Sequence, residues 1–379
     1  MMGGMQMQML ARGYLVYDIT GSAGKLGLVA AGSAIPMLTL ALFGGAIADR
    51  MNRKLIIQLG QTIGAVLAVA VALMLIAGYV TWQLLFLASV IQGAMFAFMM
   101  PARQAIIPQL VGKNNLSNAM ALNAAAMSAM TLTAPAVAGG LYAFAGPHNV
   151  YFVIAVLGAL SVVFTSFVKM PENAGEVRSK RPMMNDIGEG LVYIWHSPIV
   201  RVLLVMGLAT TLLAMPFRFL MPVFVVDVYG LGPDSMGLLV AVMGGGSLAG
   251  SLFIATIGQW RRGLLLILGS FASALALLLL ALFPIYFAAA AIMVLLGLGD
   301  AGRRTINQSL IMEEVEDRYR GRVMSVFMMN FGLMPLGVLP TGFLIDYVGP
   351  QFAIGVLAVL LFGVSAYMLI TQKQLREMS

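Results

Sequence analysis

The chain has 379 residues, 60% of them hydrophobic and 10% charged, with a mean hydropathy of +0.94. Soluble domains carry roughly 25% charged residues, so water is excluded as the solvent around most of this surface. The formal charge is +7, and cysteine is absent, which excludes disulfides, thiolate nucleophiles and Cys-based metal sites.

Length is therefore better divided by the ~20 residues that cross a bilayer than by the size of a soluble domain. Apolar stretches of that length recur at residues 3–20, 26–48, 55–78, 83–102, 118–145, 149–169, 199–226, 235–257, 264–282, 285–303, 322–345 and 350–371. The count predicts an all-α polytopic membrane protein with twelve spans. The start, Met1-Met2-Gly3-Gly4-Met5-Gln6, lacks the basic n-region of a cleavable signal peptide. Span one carries Arg12 and ends near Asp18.

After span two comes Gly45-Ala-Ile-Ala-Asp49-Arg50-Met-Asn-Arg53-Lys54. Gly45 lets a neighbouring helix approach, while Asp49 can pair with Arg53 and face the positive end of another helix. That spacing suits a charged latch at the membrane surface. A solvated basic loop is the alternative, and it would need the cations but not the Gly–Asp spacing. Span four holds Gln92, and His148 and His196 fall in expected loops.

Residues 170–198 form the longest polar stretch and read as a cytosolic linker between six-span halves at 1–169 and 199–379. Within it, Ile187 to Trp195 fits an amphipathic interfacial helix. Span seven carries Arg218 between Pro216 and Pro222, which should bend it. In span ten, Gly297-x-Gly299-x-x-Gly302 fits a dinucleotide fingerprint, but it sits in an apolar span with no preceding strand. Close helix contact is the better reading. Asp300 follows in the same span, and Asn330 lies in span eleven.

Of 22 Lys and Arg residues, 19 fall on one face of this arrangement, from Arg50 through Arg201 and Arg322 to Arg376. The other face has Lys25 alone, and Arg12 and Arg218 lie within spans. This bias makes the basic face cytosolic, with both termini inside, and accounts for the net charge without nucleic acid.

Segments also repeat at an offset of about 200 to 210 residues. Leu26-Gly-Leu-Val-Ala30 matches Met236-Gly-Leu-Leu-Val240, and Asp18 corresponds to Asp227. Pro101-Ala-Arg103 echoes Ala301-Gly-Arg303. Gly139 and Gly146-Pro147 answer to Gly342 and Gly349-Pro350. Two related halves leave such a record.

With its loop after span two, the sequence resembles the major facilitator superfamily along essentially its whole length. It is most similar to the enterobactin-exporter and macrolide-efflux branch. The residues carrying that likeness are Leu15-Val-Tyr-Asp18-Ile-Thr-Gly-Ser22, the signature loop, Pro101-Ala-Arg-Gln-Ala-Ile-Ile-Pro108-Gln-Leu, Leu116-Ser-Asn-Ala-Met-Ala-Leu-Asn123 and Met328-Met-Asn-Phe-Gly332. The resemblance implies two pseudo-symmetric six-helix bundles that rock about a central cavity. It makes Asp49, with Arg50 and Arg53, the latch that holds the cytosolic side closed. There are departures. Asn52 stands where the family has glycine, and Ser89 where proton antiporters often carry an arginine. The fifth-helix motif reads Ala134-Pro135-x-x-x-Gly139-Gly140, and Gly258-Gln-Trp-Arg261-Arg262 has lost its acid. The first span begins abruptly against that pattern, so a shortened first helix is expected.

Charges inside spans are costly and so mark candidate sites. The resemblance places Arg12 and Arg218 on cavity-lining helices, where they would hold an anionic group of a substrate. Pairing with Asp18 and Asp227 is the alternative. Asp18, Asp227 and Asp300 are the candidate proton carriers, although Asp300 precedes Arg303 and Arg304 at ion-pair spacing. Gln92 and Asn330 would contact substrate or bond between helices. The expected activity is proton-driven export of small amphipathic molecules across a prokaryotic inner membrane by a monomer. Nutrient uptake and a transport-dead scaffold or sensor are the alternatives. Clustered acids or a nucleophile dyad for an enzyme are lacking, and so is a Gly-rich phosphate loop for an ATP-driven pump. No metal or cofactor is expected.

Overall fold

The computed structural model describes residues 1–40, 51–168, 183–257 and 261–378, and among these every regular element is helical. Among the described residues ten helices are long and apolar enough to cross a membrane, and a further apolar helix runs over Gly332–Val348. Two compact units are formed, Met1–Lys180 with Leu231–Ala241, and Arg181–Gly230 with Val242–Ser379.

The first unit contains α1 (Met2–Thr20), α2 (Ala23–Leu40), α3 (Arg53–Ile76), α4 (Trp82–Ala145) and α5 (Pro147–Ser166). At 19 residues α1 is about 28 Å long, close to the thickness of a bilayer core. Its end is fixed by Gly21 in the left-handed conformation, and Ser22 then caps α2 by accepting from the Lys25 amide at 3.2 Å. Ser33 interrupts α2 where Gly93 comes against its backbone; a Cβ at Gly93 would collide with it.

The sequence predicts two spans separated by a connector at 103–117. The structure instead runs helically from Trp82 to Ala145, 64 residues with Pro101, Pro108 and Pro135 inside. This helix is not straight. Residues 103 and 123 lie 20 positions apart, about 30 Å along a straight helix. Yet Arg103 Nη2 donates to Asn123 Oδ1 at 3.1 Å. Contacts with α1 show the same reversal. Along α1, Met2 and Arg12 meet Arg103 and Gln92 on one limb, while Gln6 and Tyr14 meet Thr131 and Tyr142 on the other. The limbs are antiparallel, so the two predicted spans exist and only their connector differs, being helical.

Asn52 accounts for its own departure from glycine. Its side chain caps α3, accepting from the amides of Lys54 at 3.0 Å and Leu55 at 3.4 Å. Lys54 then reaches the C-terminal end of α5, donating to the carbonyls of Ser166 at 2.7 Å and Val168 at 2.8 Å. A cation there meets the negative end of the helix dipole and satisfies orphan carbonyls.

The second unit contains α6 (Met183–His196), α7 (Pro198–Leu213), α8 (Met215–Val223) with a π-turn at Phe224–Val228, and α9 (Pro233–Ile257), whose first turns belong to the first unit. It continues through α10 (Arg262–Leu282), α11 (Tyr286–Glu314), α12 (Asp317–Val348), α13 (Pro350–Thr371) and the short α14 (Lys373–Glu377). Predicted span seven is thus broken at Ala214, just before the proline at 216 that cannot donate into the helix. Span ten ends later than expected, at Glu314 rather than 303, because the polar face beyond Asp300 stays helical. Both histidines are helical, His148 in the first turn of α5 and His196 at the end of α6, rather than in loops.

Helix α6 covers the segment from Ile187 to Trp195 and is tied to the start of α12. Glu189 forms an ion pair with Arg322, and the rings of Tyr193 and Tyr319 stack at 4.5 Å. Leu191, Val192 and Trp195 remain exposed. The core of this unit joins Leu203, Leu266, Ile306, Ile311, Val323 and Leu375.

The repeat recurs in backbone geometry. Gly146 and Gly349 share φ of 82° and 84°, each directly before a helix-initiating proline. Gly21 and Gly230, three residues after Asp18 and Asp227, have φ of 57° and 64°. Gly93 packs on the backbone of Ser33, and Gly297 on that of Met243. Gly297 and Gly299 therefore serve close helix contact, Gly299 against Gly269 and Ser273 of α10.

Candidate functional site

Within the first unit, Arg12 is held by amides rather than by Asp18. Its Nη1 donates to Gln92 Oε1 at 2.7 Å, and Gln92 Nε2 donates to Gln8 Oε1 at 2.6 Å. Gln8 and Gln92 are 7% and 5% exposed, whereas Asp18 is exposed. Gln8 precedes Arg12 by one helical turn, so both face the first limb of α4. A neutral partner leaves the charge on the guanidinium uncancelled while satisfying its N–H. Beside this chain, Tyr151 is fully buried and Tyr14 packs edge-on against Tyr142 at 5.1 Å. The hydroxyls of Tyr142 and Tyr151 are buried without hydrogen-bond partners. A cavity of about 50 Å³ lies among Gln8, Gln61, Gln92 and Ser161. Drug-sized ligands need ~300 Å³ or more, so it suits only a water or two.

Ser89, where antiporters often carry an arginine, is fully buried and donates to the Val29 carbonyl at 2.7 Å. One turn later, at Gly93, α2 and α4 come into direct backbone contact. In the fifth-helix motif, Gly139 lies against the Pro233 carbonyl and Gly237, while the Pro135 carbonyl faces Gly237 in return. Gly140 faces open space. The motif is thus a close backbone crossing between the second limb of α4 and the start of α9.

The latch residues Gly45, Asp49 and Arg50 lie outside the described residues. Arg53 and Lys54 open α3, and Lys54 is engaged with the end of α5 as above.

Within the second unit, Asp300 takes the ion-pair role. Arg303 donates to one of its oxygens at 2.5 Å and Arg304 to the other at 2.7 Å. Arg218 lies within electrostatic range of both Asp300 and Arg304. Asp227 lies exposed in the π-turn. Further along α11, Asn307 comes close to Asn330 of α12 over Gly207 of α7: a Cβ at Gly207 would lie 2.8 Å from the Asn307 amide nitrogen and 3.3 Å from that of Asn330. The sequence reading missed Gln8, Asn307 and Gly207. The signal was present as i, i+4 spacing, Gln8 with Arg12 and Arg303 with Asn307, which places each pair on one helix face. Among the described residues no group of three His, Cys, Asp or Glu could hold a metal ion.

The family model of the Major Facilitator Superfamily matches residues 1–337. The chain belongs to that superfamily. Macrolide efflux protein A of Streptococcus pyogenes is 27% identical over 353 residues, covering 88% of this chain and 85% of its own. The multidrug efflux pump Tap of Mycolicibacterium fortuitum is 25% identical over 370 residues, covering 92% and 90%. Among solved structures, the nucleoside transporter NupG superposes with a TM-score of 0.75 at 15% identity, over 98% of this chain and 97% of that one. A bacterial homologue of the human lysosomal transporter Spinster, inward-facing and unoccupied, gives 0.75 at 15%, over 99% and 96%. These structural likenesses establish the fold. The transporter is therefore a multi-pass membrane protein of twelve-helix type, and its family and relatives are transporters rather than enzymes.

Proposed function

We propose that this transporter exports small amphipathic molecules from a bacterial cytosol by alternating access, driven by inward proton movement. The observation that carries export is the relatives' shared role: proteins matching nearly the full chain are named for efflux of macrolides and of several drugs. Two six-helix bundles, residues 1–169 and 199–379, rock about a central site, with residues 170–198 as a cytosolic linker and both termini inside. The transporter works as a monomer in the inner membrane.

In this reading Asp49, with Gly45, Arg50 and Arg53, latches the cytosolic face, and Lys54 anchors the latch to α5. Arg12 and Gln92, and Arg218 and Asn330, supply polar contacts to the substrate. Proton coupling runs without a span-four arginine, Ser89 standing in that place and bonding to the Val29 carbonyl instead. Asp300 is the carboxylate whose parting from Arg303 and Arg304 frees it for a proton, with Asp18 and Asp227 exposed as entry or exit acceptors. Pro135 and Gly139 form the crossing about which the helices hinge, with Gly140 open beside it.

The test is accumulation of a panel of dyes and macrolides in an efflux-deficient bacterium expressing the chain. Export predicts lower accumulation, lost both with Asp49→Asn and when the proton gradient is collapsed. Raised accumulation of any compound would instead establish uptake. Loss with the gradient but not with Asp49→Asn would remove the latch role alone.

A further inference from the structure

Exposed apolar side chains gather on one stripe of α6. Leu191, Val192 and Trp195 are 51%, 59% and 71% exposed, and their spacing puts them on the same flank of the helix. The helix is not free to turn this flank inward. Its other side is held by the ion pair of Glu189 with Arg322 and by the stacked rings of Tyr193 and Tyr319. The Tyr193 hydroxyl also accepts from the Glu316 amide at 3.4 Å, and Ile194 packs on the core of the unit.

What lies beside the stripe follows from the course of the chain. Helix α6 ends at His196, and Pro198 opens α7, which belongs to the apolar span Pro198–Val228. Trp195 therefore stands within a turn of the point where the chain enters the bilayer. Arg201, exposed in the first turn of α7, holds its guanidinium over the Trp195 ring, 5.5 Å from the centroid. Val205, one turn further and on the same face as Arg201, is exposed as well. Through the contact of Trp195 with Arg201, the stripe on α6 runs on into the outward flank of α7. Beside a span, an apolar surface of this kind is a face for lipid. Tryptophan settles at the membrane–water boundary because its ring is apolar and its indole N–H is not.

We propose that this surface seats an anionic phospholipid of the cytosolic leaflet, of phosphatidylglycerol type. Its phosphate lies on Arg201, Trp195 sits at headgroup depth, and Leu191 and Val192 lie among the acyl chains. A guanidinium fits a phosphate with two parallel N–H donors, and its contact with a ring face commits none of them to an acceptor. A zwitterionic headgroup brings its own ammonium against Arg201, whereas a glycerol headgroup leaves the lipid a net negative charge that a basic surface attracts. Glu189 is already paired with Arg322 and so does not oppose the phosphate. The leaflet follows from the distribution of lysine and arginine, and the seat requires no direction of transport.

The chain has three tryptophans, so Trp82→Phe with Trp260→Phe leaves Trp195 alone. This full-length variant is reconstituted into vesicles of phosphatidylcholine with a fixed minor share of phosphatidylglycerol. In one preparation bromine sits on the chains of the phosphatidylglycerol, in the other on an equal amount of the phosphatidylcholine. Brominated chains quench an indole only at close range, so the two preparations report which lipid touches Trp195. The attraction of one arginine predicts phosphatidylglycerol enriched about fivefold over random mixing, with quenching stronger to match. Arg201→Gln, at an exposed position, should make the two preparations quench alike. Equal quenching while Arg201 is intact would reduce the surface to general lipid contact and overturn the proposal. No quenching by either lipid would put Trp195 in water or under a protein partner, and would overturn it too. A phosphatidylglycerol preference that survives Arg201→Gln would assign the headgroup to other cations and remove Arg201 as its seat. None of these readings depends on transport, so failure here is separable from failure of the export reading.

Discussion

At positions 139 and 140 two neighbouring glycines differ in what a methyl group would meet. A Cβ on Gly139 would collide with the Pro233 carbonyl and lie 3.0 Å from the Gly237 Cα, all rigid backbone, whereas one on Gly140 meets nothing within 4 Å. Overpacking of this kind destabilises by about 1–3 kcal/mol. Gly139→Ala should therefore lower the Tm of the purified protein by several degrees while Gly140→Ala leaves it unchanged. Equal effects would mean that the crossing is not set by this contact. The amide chain from Arg12 through Gln92 to Gln8 invites a second comparison. Gln92→Leu removes the acceptor of a guanidinium inside the bundle and the donor to Gln8. Stranding buried polar groups costs about 1–3 kcal/mol each, more where one is charged. Gln92→Glu keeps the acceptor and adds a counter-charge. The first variant should melt well below the second, and the reverse order would show that Arg12 finds other partners when the amide is lost.

Elements were legible where their signal was local. The twelve apolar stretches and the distortion of span seven at Pro216 follow from periodicity and from the backbone demands of proline, and the Gly146-Pro147 and Gly349-Pro350 repeat stands out in the residues themselves. The i, i+3 and i, i+4 arginines beside Asp300 also gave its ion pairs in advance. Partners brought together across helices were not legible. Nothing in a single chain pairs Arg12 with Gln92 rather than with the nearer Asp18, or sets Asn307 beside Asn330, because both depend on which helix faces pack. The connector at 103–117 misled for another reason. Its polar residues mark the membrane boundary, but a helix needs only backbone bonds to continue past that boundary. The absence of cysteine makes the consequence measurable. Spin labels on Arg103→Cys and Asn123→Cys should show strong dipolar broadening, since these side chains touch across the hairpin. A straight helix would hold them about 30 Å apart, and a sharp spectrum would follow.

For the molecule as a whole, direction in the membrane decides what export means, and charge is the quantity that sets it. Nineteen of the 22 basic residues lie on the face assigned to the cytosol, and only Lys25 on the other. During insertion, retention of lysine and arginine on the cytosolic side orients the spans, and a bias this strong leaves the opposite topology disfavoured at nearly every loop. Each half offers exposed positions on both faces. Tyr79 and Tyr347, 76% and 86% exposed, lie on the side poor in basic residues, whereas Trp195 and the C-terminal Lys373 lie on the rich one. Single cysteines at these four positions, treated in intact cells with a maleimide that cannot cross the membrane, should react at 79 and 347 and stay silent at 195 and 373 until the cells are opened. Labelling at 195 and 373 alone would invert the molecule, and the same helices would then carry the wrong direction for an exporter. Mixed labelling within one half would break the six-span count of that half. Positions 195 and 373, read together, also test whether an even number of crossings separates the linker from the C-terminal end, the condition under which both lie in the cytosol.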